Sequence, residues 1–342
     1  MGQNGREFVK QFEPKKIWDQ WEDWITETVQ EYRTVPTVSV VIPVHNVEQY
    51  LRQCLGSVVN QTMRNIQIIC VNDGSTDGSR DILQEYADKD NRILILDQEN
   101  RGAGSARNAA YPHIRGRYTY FADPDDWLEP DLCGQAVQRI EETNAEMVYF
   151  RYVIEKPGTS KKSFHFNKKL PQVRIAGKHR TAFLFMLNMP WCKLWRTDFL
   201  LQNQIRCSEM TPYEDIILNW KGCVLAGRIA ILDKMLYHYR FKRPGSAAAD
   251  VGWRHAAIIG IHDEIDNELK RIGKYRDYQD VFLQQRLTDF YHRYVSNIRE
   301  EDKEIYVRLV QSALTSEDRD FLRKAPQTQF SDGVREFYAG ME

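Results

Sequence analysis

Little in this chain commits it to a disulfide frame, a membrane or a polyanion. Its six cysteines in 342 residues (Cys54, Cys70, Cys133, Cys192, Cys207 and Cys223) are scattered, with no Cys-x-x-Cys pair. That spacing excludes a zinc ribbon and reads as reduced, mostly buried thiols. A net charge of -1 supplies no basic excess, so nucleic acid is excluded as the main partner. No apolar run approaches the roughly 20 residues of a membrane span. The start, Met1-Gly2-Gln3-Asn4-Gly5-Arg6, is too polar for a secretory leader. Gly2 would suit an acyl acceptor site, but Arg6 stands where Ser or Thr is wanted. There is no internal repeat and no low-complexity tract. The expectation is a soluble cytoplasmic protein, with contact to the inner face of a membrane and homo-oligomer formation both left open.

What is present is alternation. Residues 1–36 read as a helical extension whose Trp18, Trp21, Ile25, Val29 and Tyr32 share a face. Asp19, Glu22, Asp23, Glu27 and Glu31 make its other side acidic. That favours packing, across the domain or on another subunit, over a membrane surface. From Thr37 onward strand and helix patterns alternate: Val38–Ile42, helix Glu48–Asn60, Ile66–Val71, helix Ser79–Asp88, Arg92–Leu96, helix Ala103–Tyr111, Arg117–Ala122 and Met147–Tyr152. Such alternation predicts an α/β fold with a mostly parallel sheet and helices on both faces. Ligands then bind beyond the carboxyl ends of the strands. Residues 153–180 are basic and poorly periodic and read as a loop or hairpin. Beyond Trp253 the pattern is helical, with Ala256, Ile258, Ile259, Ile261, Ile265 and Leu269 on one face and breaks near Ile272-Gly273 and Thr315. The boundaries expected are 1–36, 37–150, 151–250 and 251–342.

The polar residues that carry chemistry fall at the strand ends. Asp123-Pro124-Asp125-Asp126-Trp127 puts three carboxylates within four residues after an apolar strand. Hard oxygen donors in that position suit Mg²⁺ or Mn²⁺ and a phosphate, although Asp and Pro also make ordinary turns. Asp73-Gly74-Ser75-Thr76-Asp77-Gly78-Ser79 places a carboxylate where it can accept from a base N–H or a ribose hydroxyl. Ser75 or Asp77 could equally cap the next helix. Asn100 to Ala109 sets Gly102 and Gly104 before a helix carrying Arg107. This is too short for a dinucleotide fingerprint, but it permits close approach of a nucleotide, with Arg107 neutralising phosphate or holding the acidic loop. Asp215, after Tyr213-Glu214, is either a base or the first turn of a helix.

Four stretches occur in this order over about ninety residues: Val41-Ile42-Pro43-Val44-His45-Asn46, Val71 to Asp77, Asn100 to Asn108, and Asp123-Pro124-Asp125-Asp126. Together they resemble the family 2 glycosyltransferases of the GT-A fold, of the kind that build bacterial surface glycans. The resemblance continues through Lys193-Leu194-Trp195-Arg196, Tyr213-Glu214-Asp215 and Tyr237-His238-Tyr239-Arg240 with Arg243 and Ser246, so it covers roughly residues 37–248.

It implies inverting transfer of a sugar from a nucleotide diphosphate, UDP being the commonest case, to a hydroxyl of a glycan or lipid-linked glycan. It further implies that Pro43, Val44 and Asn46 border the nucleoside, with Asp73 accepting from the base and Asn100, Gly102 and Arg107 lining the same pocket. Asp123 would face the ribose or a metal-bound water, Asp125 would ligate Mn²⁺ or Mg²⁺ as in a DXD motif, and Asp126 would orient its neighbours. Asp215 would be the general base, with Glu214 as second choice. His238, Arg240 and Arg243 would close over the diphosphate, His238 also as a metal ligand, and Lys193 would act there too. Pro124 and Ala110 depart from the family pattern without removing a ligand. No Gln-x-x-Arg-Trp motif is present, which favours single addition over processive synthesis. The rival readings are a nucleotidyltransferase of similar fold, which would want a Gly-, Arg- and Lys-bearing loop where Pro43-Val44-His45-Asn46 stands, and a non-catalytic nucleotide- or glycan-binding module.

Overall fold

The structure, a computed structural model, describes residues 15–24, 35–156, 159–161, 173–175, 181–184, 189–241, 251–326 and 328–341. A 10-stranded sheet carries the fold, in the order β3-β2-β1-β4-β9-β6-β10-β5, with β7 on β6 and β8 on β10. Strands β1 (Val38–Val44), β2 (Ile66–Asp73), β3 (Ile93–Gln98) and β4 (Tyr118–Phe121) run parallel. Every residue of β1 is buried, as expected of a strand covered on both faces. Helices α1 (Glu48–Val59), α2 (Ser79–Ala87) and α3 (Ala103–Ala109) are the crossovers. Register sets Val44 beside Asn72 and Val41 beside Phe121, so the loops after β1, β2 and β4 leave the sheet at one edge.

The second half of the sheet is mixed, which alternation alone does not reveal. β9 (Lys193–Arg196) lies antiparallel between β4 and β6 (Met147–Lys156). β10 (Arg228–Arg240) runs parallel to β6 and antiparallel to the short β5 (Trp127–Leu128) that continues the acidic loop. Helix α4 (Leu132–Thr143) follows β5 and ends on Asn144 at φ 48°, a left-handed position that Asn tolerates. Of the basic stretch after residue 153, β6 folds back on β7 (Thr159–Lys161) as a hairpin, and β8 (Val173–Ile175) pairs with β10.

Short helices α5 (Thr181–Leu184) and α6 (Thr197–Gln202) precede α7 (Asp215–Leu225). The C-terminal region is helical: α8 (Ala257–Arg271), α9 (Tyr275–Ser296), α10 (Lys303–Ala313), α11 (Ser316–Lys324) and α12 (Asp332–Ala339). Gly273, at φ 69°, breaks α8 from α9. Thr315 caps α11 in a reciprocal box with Asp318. A third break, around 297–302, has no glycine or proline to announce it. Buried Ile258, Ile261, Ile265 and Leu269 of α8 join one apolar core with the sheet, and all six cysteines are free and buried.

Among the described residues no helix is long and apolar enough to cross a membrane. In the extension, residues 15–24 are helical and Trp18 and Trp21 stand exposed, so those two rings are not packed across the domain. Ile25, Val29 and Tyr32 lie outside the described residues.

Candidate active site

The loops at the sheet edge are tied to one another before any ligand is considered. Asp73, almost fully buried at the end of β2, accepts from the backbone N–H of Arg101 and of Gly102, each at 2.8 Å, and from Gln98 Nε2 at 2.7 Å. The carboxylate placed by sequence beneath a base therefore also pins the glycine loop. His45 Nδ1 donates to the Asp73 carbonyl at 2.8 Å, which leaves Nε2 to accept from Asn100 Nδ2 at 3.1 Å. Asn46 Oδ1 accepts from Thr76 N at 2.8 Å, and Asp77 takes the N–H groups of Glu48 and Ser79. Gly102, at φ 88°, could not carry a Cβ, which would sit 2.8 Å from Thr211 Oγ1.

The acidic loop after β4 is organised by strands and helices far from it in sequence. Asp126 is buried, accepting from Tyr237 Oη at 2.8 Å and from Arg240 N at 2.7 Å. Arg240 Nε donates to the Asp125 carbonyl at 3.0 Å, and its guanidinium lies 4.8 Å over Tyr50 and 4.9 Å over Trp127. Ligand oxygens of Asp123, Asp125 and Asp126 lie within 4.8 Å of one another. Burial, with Asp125 and Asp123 close by, holds Asp126 well above the usual carboxylate range. Asp123 is raised as well, through burial that outweighs its bond to Arg107.

Arg107 links this loop to the opposite wall. From the first turns of α3 its Nη2 donates to Asp123 at 2.7 Å and its Nη1 to Glu214 at 3.0 Å, with the side chain almost fully buried. Burial opposes its charge, but Asp123 and Glu214 outweigh that, so the cation is firmly protonated. Asp215 opens α7 beside Glu214. Burial, reinforced by the Glu214 charge and opposed by Arg107 and Lys193, pushes its carboxyl up to about 6.

These groups line one cleft of about 590 Å³: Pro43, His45, Val47 and Ala103 on the α/β side, Asp123 and Asp125 on the acidic loop, Glu214 and Asp215 opposite, and Tyr239 and Arg240 at the rim. The C-terminal helices add His255, Arg293 and Asn297. Sequence reasoning gave these three no role, because single polar residues in amphipathic helices carry no local signal. His45 carries such a signal, since it directly follows the strand-end run Pro43-Val44.

Two expected site residues are placed elsewhere. Lys193 is fully buried, donating to the Met189 carbonyl at 2.7 Å and lying 4.9 Å over Tyr149. His238 faces Glu155 and Glu129 at 2.8 Å from each ring nitrogen and stacks on Trp127, away from the grouped carboxylates. Of its neighbours on β10, Tyr239 and Arg240 line the cleft instead. Arg243 lies outside the described residues.

The α/β sheet, the acidic loop and the helical C-terminal region define a GT-A fold. A *Staphylococcus aureus* structure, TarS 1-349 in complex with UDP-GlcNAc, shares that fold at a TM-score of 0.70 and 21% identity, covering 89% of this chain and 92% of that one. The family model Glycosyl transferase family 2 matches residues 39–201. Glycosyltransferase GlyA of *Streptococcus pneumoniae* is 34% identical over 238 residues, 67% of this chain and 34% of GlyA. EpsH of *Bacillus subtilis* is 34% identical over 221 residues, 60% of this chain and 61% of EpsH. Residues 39–201 form a glycosyltransferase family 2 domain. The chain spans about a third of the length of GlyA and about three fifths of EpsH.

Proposed function

We propose that the chain is an inverting, divalent-metal-dependent glycosyltransferase that moves a sugar from a UDP-sugar to a hydroxyl of a glycan or lipid-linked glycan. One observation carries this reading: Asp123 and Asp125 of the grouped carboxylates share a single cleft with a carboxyl raised to about 6. The UDP-GlcNAc bound by the TarS neighbour supports the choice of donor.

The donor set suits a hard cation, all three ligands being carboxylate oxygens. Tyr237 and Arg240 N occupy both oxygens of Asp126, so Asp125, with Asp123, is the proposed holder of Mn²⁺ or Mg²⁺. When bound, such an ion stabilises the negative charge that grows on a departing nucleoside diphosphate. Arg240 adds positive charge at the same rim. Asp215 accepts the proton of the acceptor hydroxyl as it attacks from the opposite face of the sugar, and Arg107 holds Glu214 and Asp123 in fixed relation. Pro43, Val44, Asn46, Asp73, Asn100 and Gly102 form the proposed nucleoside side. In this scheme residues 37–150 serve the donor, 151–250 the acceptor and base, and 251–342 close the acceptor end. Action on a surface polysaccharide at the cytoplasmic face of the membrane fits this chemistry.

The test is turnover of UDP-sugars by purified protein. Release of UDP that requires Mn²⁺ or Mg²⁺ and disappears in Asp125→Ala is expected. Turnover unaffected by chelator and by that substitution would overturn the assignment.

A further inference from the structure

The acceptor end of the cleft contains a cation, Arg293, with no carboxylate partner among the described residues. Arg293, on α9, donates from Nη1 to Tyr213 Oη at 2.9 Å and to Asn297 Oδ1 at 3.0 Å. Its guanidinium lies 4.6 Å over the Tyr213 ring. Among the described residues no carboxylate pairs with it. Asp289, one turn earlier, is engaged by His262 at 3.0 Å. Neighbouring buried arginines are treated differently: Arg107 lies between Asp123 and Glu214, and Arg286 faces Asp263 and Asp318. Arg293 Nε is buried with no acceptor, and its Nη2 has no partner among the described residues.

A half-buried guanidinium loses hydration, and bonds to a phenol and an amide do not restore the lost charge balance. A planar fork of donors with no carboxylate of its own matches the oxygens of a phosphate or carboxylate. Position decides whose anion it is. Tyr213 directly precedes Glu214 and Asp215, and it is held at φ 85° with its hydroxyl between Arg293 and His255 Nδ1, the latter at 2.6 Å. The cation therefore lies at the base end of the cleft, whereas the donor diphosphate belongs with the acidic loop and Arg240.

We propose that His255, Arg293 and Asn297 form an acceptor subsite for an anionic group, so that the acceptor is an acidic saccharide or polyol bearing phosphate or carboxylate, with Arg293 as its counter-charge. This rests on reading the cleft as a glycosyltransferase site.

The test uses the full chain with saturating UDP and Mn²⁺, so that the donor phosphate seat is filled. Ligand-observed NMR titrations compare glycerol 3-phosphate, glucuronate, and neutral glycerol and glucose. Binding of one or both anionic probes, weakened about tenfold or more in Arg293→Gln and largely kept in Arg293→Lys, is expected. The phosphate and carboxylate arms separate the two anion types. Equal binding of the neutral probes, no anion binding to the parent chain, or anion binding unchanged in Arg293→Gln would each overturn the subsite. The melting temperature of each variant with UDP and Mn²⁺ shows that the fold and donor end are intact. If UDP with Mn²⁺ fails to stabilise the parent chain, the donor assignment fails, and the same titration without nucleotide still decides the anion question.

Discussion

At the scale of single residues, the proposed chemistry rests on Asp215, half-buried beside Glu214, and on Arg107, almost fully buried. Burial and the Glu214 charge push the folded Asp215 carboxyl up to about 6, above the ordinary carboxylate value. Transfer should therefore rise with pH to a plateau, with a midpoint near 6 in kcat/KM, as the base loses its proton. Between the two values the folded chain binds more protons than the unfolded one, so stability from this group falls as pH rises, and at neutral pH the ionised carboxylate is a liability. Asp215→Asn should thus lower kcat by about 10²-fold or more while raising Tm at pH 7.5, as shown by a progress curve and a thermal melt of one preparation. A lowered Tm there would mean that Asp215 is structurally required. Arg107 gives the opposite sign. Arg107→Gln leaves the partly buried Asp123 and Glu214 without their cation, which costs up to about 3–5 kcal/mol and lowers Tm by several degrees. A melt unchanged by Arg107→Gln would show that water satisfies both carboxylates.

Between elements, the decisive contacts are those that bring α3 against the loop from Ser208 to Glu214. A Cβ on Gly104 would lie 2.1 Å from the Ser208 carbonyl and 2.8 Å from Glu214 Cβ, both on well-packed parts of the chain. Gly104→Ala must push α3 away from Glu214, so loss of both activity and stability is expected. Gly134, inside α4, has nothing within 4 Å of the same construction, and Gly134→Ala should stabilise by about 0.5–1 kcal/mol. A denaturant titration of the two variants tests the contrast, and equal effects would refute the close approach. These contacts also mark where sequence stops being informative. The loops after β1, β2 and β4 were legible because each motif is contiguous and follows an apolar strand. The bond from Arg107 to Glu214 joins residues 107 apart, and no local pattern encodes it. The resemblance assigns Lys193 to the diphosphate, yet the antiparallel β9 buries it. The resemblance groups His238 with Arg240, and only the folded surroundings of β10 show that its ring turns to Glu129 and Glu155 while Arg240 reaches the cleft.

The whole molecule is best understood as one core with a cleft across it, although the family match ends at residue 201. Apolar side chains from Val38 to Met341 belong to a single cluster. Polar contacts cross the same boundary: Trp220 Nε1 donates to Gln285 at 3.1 Å, and Lys221 pairs with Glu268 at 2.6 Å. Tyr213, beside the proposed base, is fixed by His255 and Arg293. Removing residues 251–342 would uncover the α7 face, deprive Trp220 of Gln285 and leave Lys221 without its carboxylate. Each truncation to alanine of a buried aromatic costs about 3–5 kcal/mol, and exposing a whole helix face exceeds the 5–15 kcal/mol that holds a typical domain together. A chain ending at residue 250 should therefore lose its cooperative melt and expose apolar surface, while the full chain shows one transition that UDP with Mn²⁺ moves upward. If the shortened chain instead melts cooperatively and is stabilised by UDP with Mn²⁺, the α/β part folds alone. The C-terminal helices would then be an acceptor module added to a self-sufficient donor domain.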